Sequence, residues 1–74
     1  NKMEKFIQLL FQVFDDTPIE ELAPNQIINN IEEWDSIIVL SIIDLADRHF
    51  NKSISGEDIE SCVTIGDLYN LITG

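Results

Sequence analysis

The sequence predicts an all-α protein, a small bundle of three main helices and one short helix. Apolar residues recur at helical spacing in three stretches, at about residues 2–14, 36–50 and 65–72. Residue types typical of helix N-termini stand immediately before the second main helix, the short helix and the last helix. A chain of 74 residues fits one domain, which we expect to cover residues 1–74.

Composition and charge restrict the binding partners and the cellular compartment that we expect for this chain. Four Lys and Arg against fourteen Asp and Glu give a formal net charge of −10, which opposes binding to nucleic acid and favours basic protein surfaces. No apolar run approaches the ~18 residues of a membrane span. Cys62 is the only cysteine, so no internal disulfide can form. We therefore expect a cytoplasmic, monomeric protein without a membrane span.

The first helix is expected over about residues 2–14, because its apolar residues occupy one broad arc. Pro18 disfavours helical angles at the residue before it, and the acidic pair Asp15 and Asp16 is unfavourable at a helix C-terminus. A long loop is then predicted over residues 15–35, pinned to the core by its aliphatic side chains and with room for a short helical turn. Loops of this length in small domains are often functional.

The second helix is expected over residues 36–50, with Asp35 placed to accept hydrogen bonds from the amides of its first turn. Asn51 is suited to end it in a left-handed conformation. On a helical wheel the predicted buried arc centres on five apolar residues, Val39, Ile42, Ile43, Ala46 and Phe50. This arrangement predicts that Phe50 fills the centre of the bundle.

Two large aliphatic side chains lie on the otherwise polar side of this helix. Ile37 and Leu40 stand within about one turn of Ser36, where a monomer gains nothing from exposing them. We interpret them as contacts for a partner. The alternative is that aliphatic residues of the long loop cover them and make them part of the core, the candidates being Ile27, Ile28 and Ile31.

Two capping patterns predict the remaining helices. Ser55 with Asp58 opens a short helix over about residues 56–61, and Thr64 with Asp67 opens the last helix over about residues 65–72. The last helix is amphipathic, with apolar residues at helical spacing at Ile65, Leu68, Tyr69 and Ile72. Ile54 supplies an apolar anchor in the link before the short helix.

The residues offer little for catalysis by the chain itself. Ser36 and His49 lie thirteen positions apart on one expected helix, about 20 Å along its axis, which is too far for a dyad. Spacing does not exclude a pair of Cys62 and His49, although we interpret Cys62 as a small buried apolar residue. Six carboxylates match no calcium-loop spacing and are interpreted as a solvated acidic face, namely Asp15, Asp16, Glu20, Glu21, Glu32 and Glu33. We expect no catalytic residue and no metal site.

Ser36 is distinguished by its position rather than by its neighbours. A hydroxyl in the first turn of a helix is exposed and lies near unpaired backbone amides that favour a phosphate. It therefore suits phosphate attachment, although serine at a helix start is also common as a simple cap.

These residues carry a resemblance that covers the whole chain. The stretch Trp34-Asp35-Ser36-Ile37, followed by an apolar helix, resembles the Asp-Ser-Leu motif of the acyl carrier protein family. The spacing from the first helix through a long loop to the serine is similar, as is the short third helix. Further similarity lies in the link from Phe50 to Ile54 and in the start of the last helix, Thr64-Ile65-Gly66-Asp67-Leu68.

The resemblance implies a non-enzymatic carrier. It assigns covalent 4'-phosphopantetheine to Ser36, with Asp35 in the recognition motif, and its terminal thiol would hold acyl groups as thioesters. The implied partners are a phosphopantetheinyl transferase and acyl-loading and acyl-transfer enzymes with basic docking surfaces. The second helix carries fewer acidic residues than is usual in carriers of fatty-acid synthesis, which favours a dedicated biosynthetic pathway.

The resemblance also implies where those partners dock. Ile37 and Leu40 match the apolar docking positions of the family's second helix, with Asp44 and Asp47 beside them. The alternative function is an unmodified adaptor domain that grips a partner through the face formed by Ile37 and Leu40. A small hydrolase or metal enzyme finds no supporting group of residues.

Overall fold

The computed structural model describes residues 1–74 and contains four α-helices and no β-strand. The helices are α1 (Lys2–Phe11), α2 (Ser36–Phe50), α3 (Gly56–Glu60) and α4 (Ile65–Thr73). Two short 3₁₀ helices, Ile19–Leu22 and Ile28–Asn30, lie in the connection between α1 and α2. The predicted all-α bundle of three main helices and one short helix is confirmed. None of the helices combines the length and apolar character needed to cross a bilayer.

One apolar cluster, drawn from every helix, forms the core. Its largest fully buried side chains are Phe6, Leu10, Leu22, Ile42, Ile59, Ile65, Leu68 and Ile72. The Phe6 ring meets Phe50 and Tyr69 edge to face, with centroids 6.2 and 5.4 Å apart, a favourable geometry for aromatic pairs. Because Leu22 belongs to a 3₁₀ helix, the long connection is itself part of the core.

The α1 helix ends at Phe11, so its predicted extent over residues 2–14 was three residues too long. The chain continues in a tighter turn, in which the amides of Val13 and Phe14 donate to carbonyls three residues earlier, at 3.0 and 3.2 Å. This turn buries Phe14, whose ring packs against Trp34. The turn after α1 therefore packs against a residue twenty positions further along the chain.

The α2 helix has its predicted bounds, and both of its ends follow the sequence pattern. Asp35 caps the N-terminus by accepting the Ile38 amide at 2.9 Å, and Asn51 adopts left-handed angles of φ 51° and ψ 41°. The buried face differs from the prediction, since Phe50 is only half-buried at the helix end. The residues that are buried are Ile38, Ile42, Leu45 and Ala46. The wheel placed Phe50 wrongly because neighbouring elements, not the helix alone, decide how far burial extends.

The long connection is held against the start of α4 by the backbone. Three hydrogen bonds of 2.8 to 3.0 Å join the two segments, from Ile28 to Val63, from Ile65 to Gln26 and from Gly66 to Pro24. A Cβ at Gly66 would lie 3.1 Å from the Pro24 carbonyl oxygen, tighter than ordinary contact. Glycine therefore allows this close approach of the two backbones.

Both predicted capping boxes are present. Ser55 and Asp58 exchange side chain to backbone hydrogen bonds of 3.1 and 2.9 Å at the start of α3. Thr64 and Asp67 do the same at the start of α4, at 3.1 Å in each direction. Helix α3 ends one residue before, and α4 one residue after, the predicted limits, which is ordinary variation at helix ends. Ile54 is buried, as predicted for the anchor of the link.

The Asp67 cap predicts loss of stability in acid. The amides of Val63 and Thr64 donate to this carboxylate and lower its pKa. A carboxylate with a lowered pKa in the folded state stabilises fully above its unfolded value, and this contribution disappears as pH falls through the folded value. We expect the melting temperature to fall below about pH 4, and Asp67→Asn to lower it at pH 7 and to weaken its dependence on acid.

The matched control for this measurement is Asp47→Asn, because Asp47 is exposed and its side chain makes no hydrogen bond. Thermal melts between pH 7 and pH 3 compare the three proteins. Equal acid dependence in wild type and Asp67→Asn would contradict a stabilising role for the ionised cap.

Candidate functional site

Ser36 is the first residue of α2 and lies exposed at the end of the long connection. Its hydroxyl makes no hydrogen bond within the protein, and the backbone amides of Ser36 and Ile37 donate to no protein acceptor. The next amide, that of Ile38, is taken by the Asp35 carboxylate. Two free N–H groups at the positive end of a fifteen-residue helix thus flank an exposed hydroxyl, an arrangement that fits a phosphate.

Ile37 and Leu40 are the most exposed large apolar side chains, at 68% and 66%. The alternative that loop residues cover them is therefore wrong. Ile28 and Ile31 are buried in the core, whereas Ile27 is itself exposed beside α4. The backbone hydrogen bonds to the start of α4 draw this part of the connection away from the outer face of α2.

The exposed aliphatic pair borders an open groove of about 490 Å³ between α1 and α2. On the opposite wall lie Leu9 of α1 and Val13 of the turn that follows it, both half-buried. The apolar surface next to Ser36 therefore extends from α2 onto α1. The sequence predicted one broad apolar arc on the first helix, and only helix packing shows which of its residues border the groove.

The two acidic residues assigned to docking differ in their surroundings. Asp44 and Asp47 are both exposed on α2, but Asp44 lies 3.0 Å from Arg48 Nε in an ion pair one turn apart. Such exposed pairs contribute only about 0.3–0.5 kcal/mol. Asp47 has no such partner, so its carboxylate is free to meet a cation from another protein.

Glu33 belongs to the acidic surface predicted from the sequence, but its carboxylate is also held by hydrogen bonds within the protein. Its Oε2 accepts the Asp15 amide at 2.6 Å, and its Oε1 accepts the amides of Asp16 and Thr17 and the Thr17 hydroxyl at 3.0, 3.0 and 2.8 Å. These hydrogen bonds, that from the Asp15 amide foremost, lower the pKa of Glu33. The sequence carries no sign of these hydrogen bonds, because donors sixteen to eighteen residues away leave no local pattern.

Charges are separated along the molecule. A depression of about 340 Å³ next to the Glu33 carboxylate is lined only by polar residues and Pro18, and four of these are acidic, Asp16, Glu21, Glu32 and Glu33. The three lysines and His49 line a different groove, where the far end of α2 meets the C-terminus of α4. Because α2 separates Ser36 from His49 by about 20 Å, the Ser36 end of the helix lies away from the three lysines.

The other reactive side chains form no recognisable catalytic arrangement. His49 is exposed at the opposite end of α2 from Ser36 and makes no hydrogen bond. Cys62 is half-buried with Sγ 3.6 Å from the Asp58 carbonyl oxygen. Burial, together with Asp67 and Asp58, raises the pKa of this thiol and so disfavours the nucleophilic thiolate. No three His, Cys, Asp or Glu side chains gather where they could hold a metal ion.

Comparison with protein families, with curated proteins and with solved structures gives no match for this chain. Its function must therefore be inferred from the Ser36 site, the free amides of the first turn and the apolar surface beside them.

Proposed function

We propose that the protein is an acyl carrier protein in which Ser36 bears 4'-phosphopantetheine. The thiol of this group would hold acyl intermediates as thioesters for delivery to partner enzymes of a dedicated biosynthetic pathway. The observation that carries the proposal is the Asp35-Ser36 pair at the start of α2. There Asp35 is fixed as the helix cap, while the Ser36 hydroxyl stays exposed and free of internal hydrogen bonds.

The residues around Ser36 fit a phosphodiester. The free amides of Ser36 and Ile37 can donate to its oxygens, and the α2 dipole favours its negative charge. The nearest carboxylate in sequence, Asp35, is engaged with the Ile38 amide. The bound group would supply a flexible arm with a terminal thiol, while the chain supplies the attachment atom and the donors around it.

Attachment requires a separate enzyme. Ser36 Oγ would attack the phosphorus of coenzyme A that bears pantetheine, forming an Oγ–P bond and breaking the pyrophosphate P–O bond. Adenosine 3',5'-bisphosphate leaves, and the serine proton passes to a base of the transferase. The single histidine of the chain lies at the other end of α2, too far from Ser36 to take this proton.

The expected partners are a phosphopantetheinyl transferase and acyl-loading and acyl-transfer enzymes with basic docking surfaces. A net charge of −10, with the lysines collected away from Ser36, supports attraction to basic proteins. The exposed side chains of Ile37 and Leu40 supply apolar contact beside the attachment atom. Electrostatic attraction would thus bring a basic partner to the chain, and burial of Ile37 and Leu40 would hold it beside Ser36.

The direct test is intact-mass measurement after incubation with coenzyme A and a broad-specificity phosphopantetheinyl transferase. We expect each chain to gain one phosphopantetheine, and peptide mapping to place it on Ser36. An unchanged mass with several such transferases would contradict the carrier function. It would favour the second candidate, an unmodified adaptor domain, which rests on the exposure of Ile37 and Leu40 alone.

Aspartate at either exposed aliphatic position should separate docking from folding. Ile37→Asp and Leu40→Asp should fold normally, because both side chains are about two-thirds exposed. Burying a side chain of this size contributes about 1.5–3 kcal/mol, so a charge at a desolvated contact should lower the transferase kcat/KM at least tenfold. Steady-state kinetics and thermal melts measure the two effects separately.

Val63→Asp is the matched control, since Val63 is 58% exposed and lies outside the groove between α1 and α2. It should leave kcat/KM near the wild-type value. Added salt should weaken association of the wild type by screening charges beyond roughly 8–10 Å. If both variants fold and their kcat/KM values equal that of wild type, the docking role of Ile37 and Leu40 is contradicted.

A further inference from the structure

The Glu33 carboxylate closes the base of the long connection. Its donors, at residues 15–17, follow the turn that succeeds α1, whereas Glu33 itself stands three residues before Ser36. A second contact lies beside it, since the rings of Phe14 and Trp34 pack with centroids 6.4 Å apart. The segment that follows α1, residues 14–17, thus contacts both residues that immediately precede the Asp35 cap.

The chemistry of this tie suits an internal role. Four hydrogen bonds occupy both oxygens of Glu33, so the carboxylate is less available to a partner's cation than an unengaged acid such as Asp47. Backbone amides and a hydroxyl, rather than a lysine or arginine, hold the negative charge. The depression beside Glu33 is therefore lined by no lysine or arginine.

We propose that Glu33 is a positioning residue for Ser36, because its tie to residues 15–17 fixes the turn that presents Asp35 and Ser36 to a modifying enzyme. This inference rests on the proposed carrier function. If these hydrogen bonds are lost, the connection and the start of α2 sample further conformations. Only a fraction of the molecules then presents Ser36 in the orientation that the modifying enzyme binds. Apparent affinity for the enzyme falls in proportion to that fraction, whereas the rate within the bound complex does not.

Two variants remove different parts of the tie. Glu33→Ala removes every hydrogen bond, whereas Glu33→Gln keeps one acceptor oxygen but sets an NH₂ group against one of the backbone donors. Glu32→Gln is the matched control, because Glu32 is exposed, adjacent and without a side-chain hydrogen bond. All are compared at a temperature at which circular dichroism shows each of them folded.

Transferase kinetics with the carrier as variable substrate give the first readout. We expect Glu33→Ala to raise KM about tenfold, with kcat within about twofold of wild type. The KM of Glu33→Gln should lie between those of wild type and Glu33→Ala. Glu32→Gln should behave as wild type. If Glu33 only stabilised the fold, KM and kcat would both be unchanged in fully folded Glu33→Ala. An unchanged KM in this variant would therefore overturn the proposal.

Amide NMR gives a second readout that needs no transferase. We expect the Ser36 and Ile37 amides to shift or broaden in Glu33→Ala, and less so in Glu33→Gln, along with those of residues 15–17. Changes confined to residues 15–17 would overturn the positioning role even if modification proceeds. Conversely, a wild type that no transferase modifies would contradict the carrier function, while the Ser36 and Ile37 amides would still decide whether Glu33 fixes this turn.

Discussion

Ser36→Ala is expected to gain no phosphopantetheine under conditions that modify every wild-type chain. The substitution removes the only oxygen that the proposal assigns to the Oγ–P bond. The fold should be unaffected, because Ser36 is exposed and Asp35, not Ser36, accepts the amide hydrogen bond that caps α2. Intact mass reports the modification, and circular dichroism with thermal melting reports the fold.

Ser53→Ala provides the matched control, since Ser53 is exposed and lies outside the groove between α1 and α2. It should be modified as fully as wild type. Modification that persists in Ser36→Ala would show that another residue carries the group, and the assignment of the site would then be wrong. A large fall in melting temperature would instead show that the serine supports the helix start.

Phe6→Ala is expected to cost about 3–5 kcal/mol of unfolding free energy. Phe6 is fully buried, and its ring meets those of Phe50 and Tyr69 edge to face, so alanine would leave a cavity where α1, α2 and α4 converge. Domains are stable by only about 5–15 kcal/mol, and one this small has few other contacts to compensate. We expect the variant to be partly unfolded at room temperature.

Phe11→Ala tests whether this effect reflects burial rather than the loss of any aromatic ring from α1. Phe11 is 39% exposed, so its removal should cost much less than that of Phe6. Urea unfolding of both variants gives the comparison, and Phe6→Leu keeps it measurable if the alanine variant does not fold. A Phe6→Ala loss below about 1 kcal/mol would contradict the packing described for the core.

The packing of the core also shapes the groove between α1 and α2. Core packing through Phe6 holds α1 against α2, and the same packing brings Leu9 and Val13 beside Ile37 and Leu40. Surface variants such as Leu40→Asp should therefore alter association without altering stability. Core variants should alter both, because they move the walls of the groove.

The sequence alone determined the helices and their starts. Asp35, Ser55 and Thr64 were each predicted as caps, and each accepts the predicted amide three residues later. The exposure of Ile37 and Leu40 followed in the same way from their place on the α2 wheel. These features depend on residues within one or two helical turns of each other. Residues so near in sequence can adopt only a few arrangements, so a local pattern is enough to predict them.

Only the tertiary structure decided where burial is greatest and what holds the start of α2. The wheel gave the central position to Phe50, but Phe6 occupies it, because burial depends on which helices cover a side chain. Glu33 was interpreted as a solvated acid, yet its hydrogen-bond donors lie sixteen to eighteen residues earlier. Contacts across such separations depend on how the whole chain folds back on itself, so no local pattern of residue types encodes them.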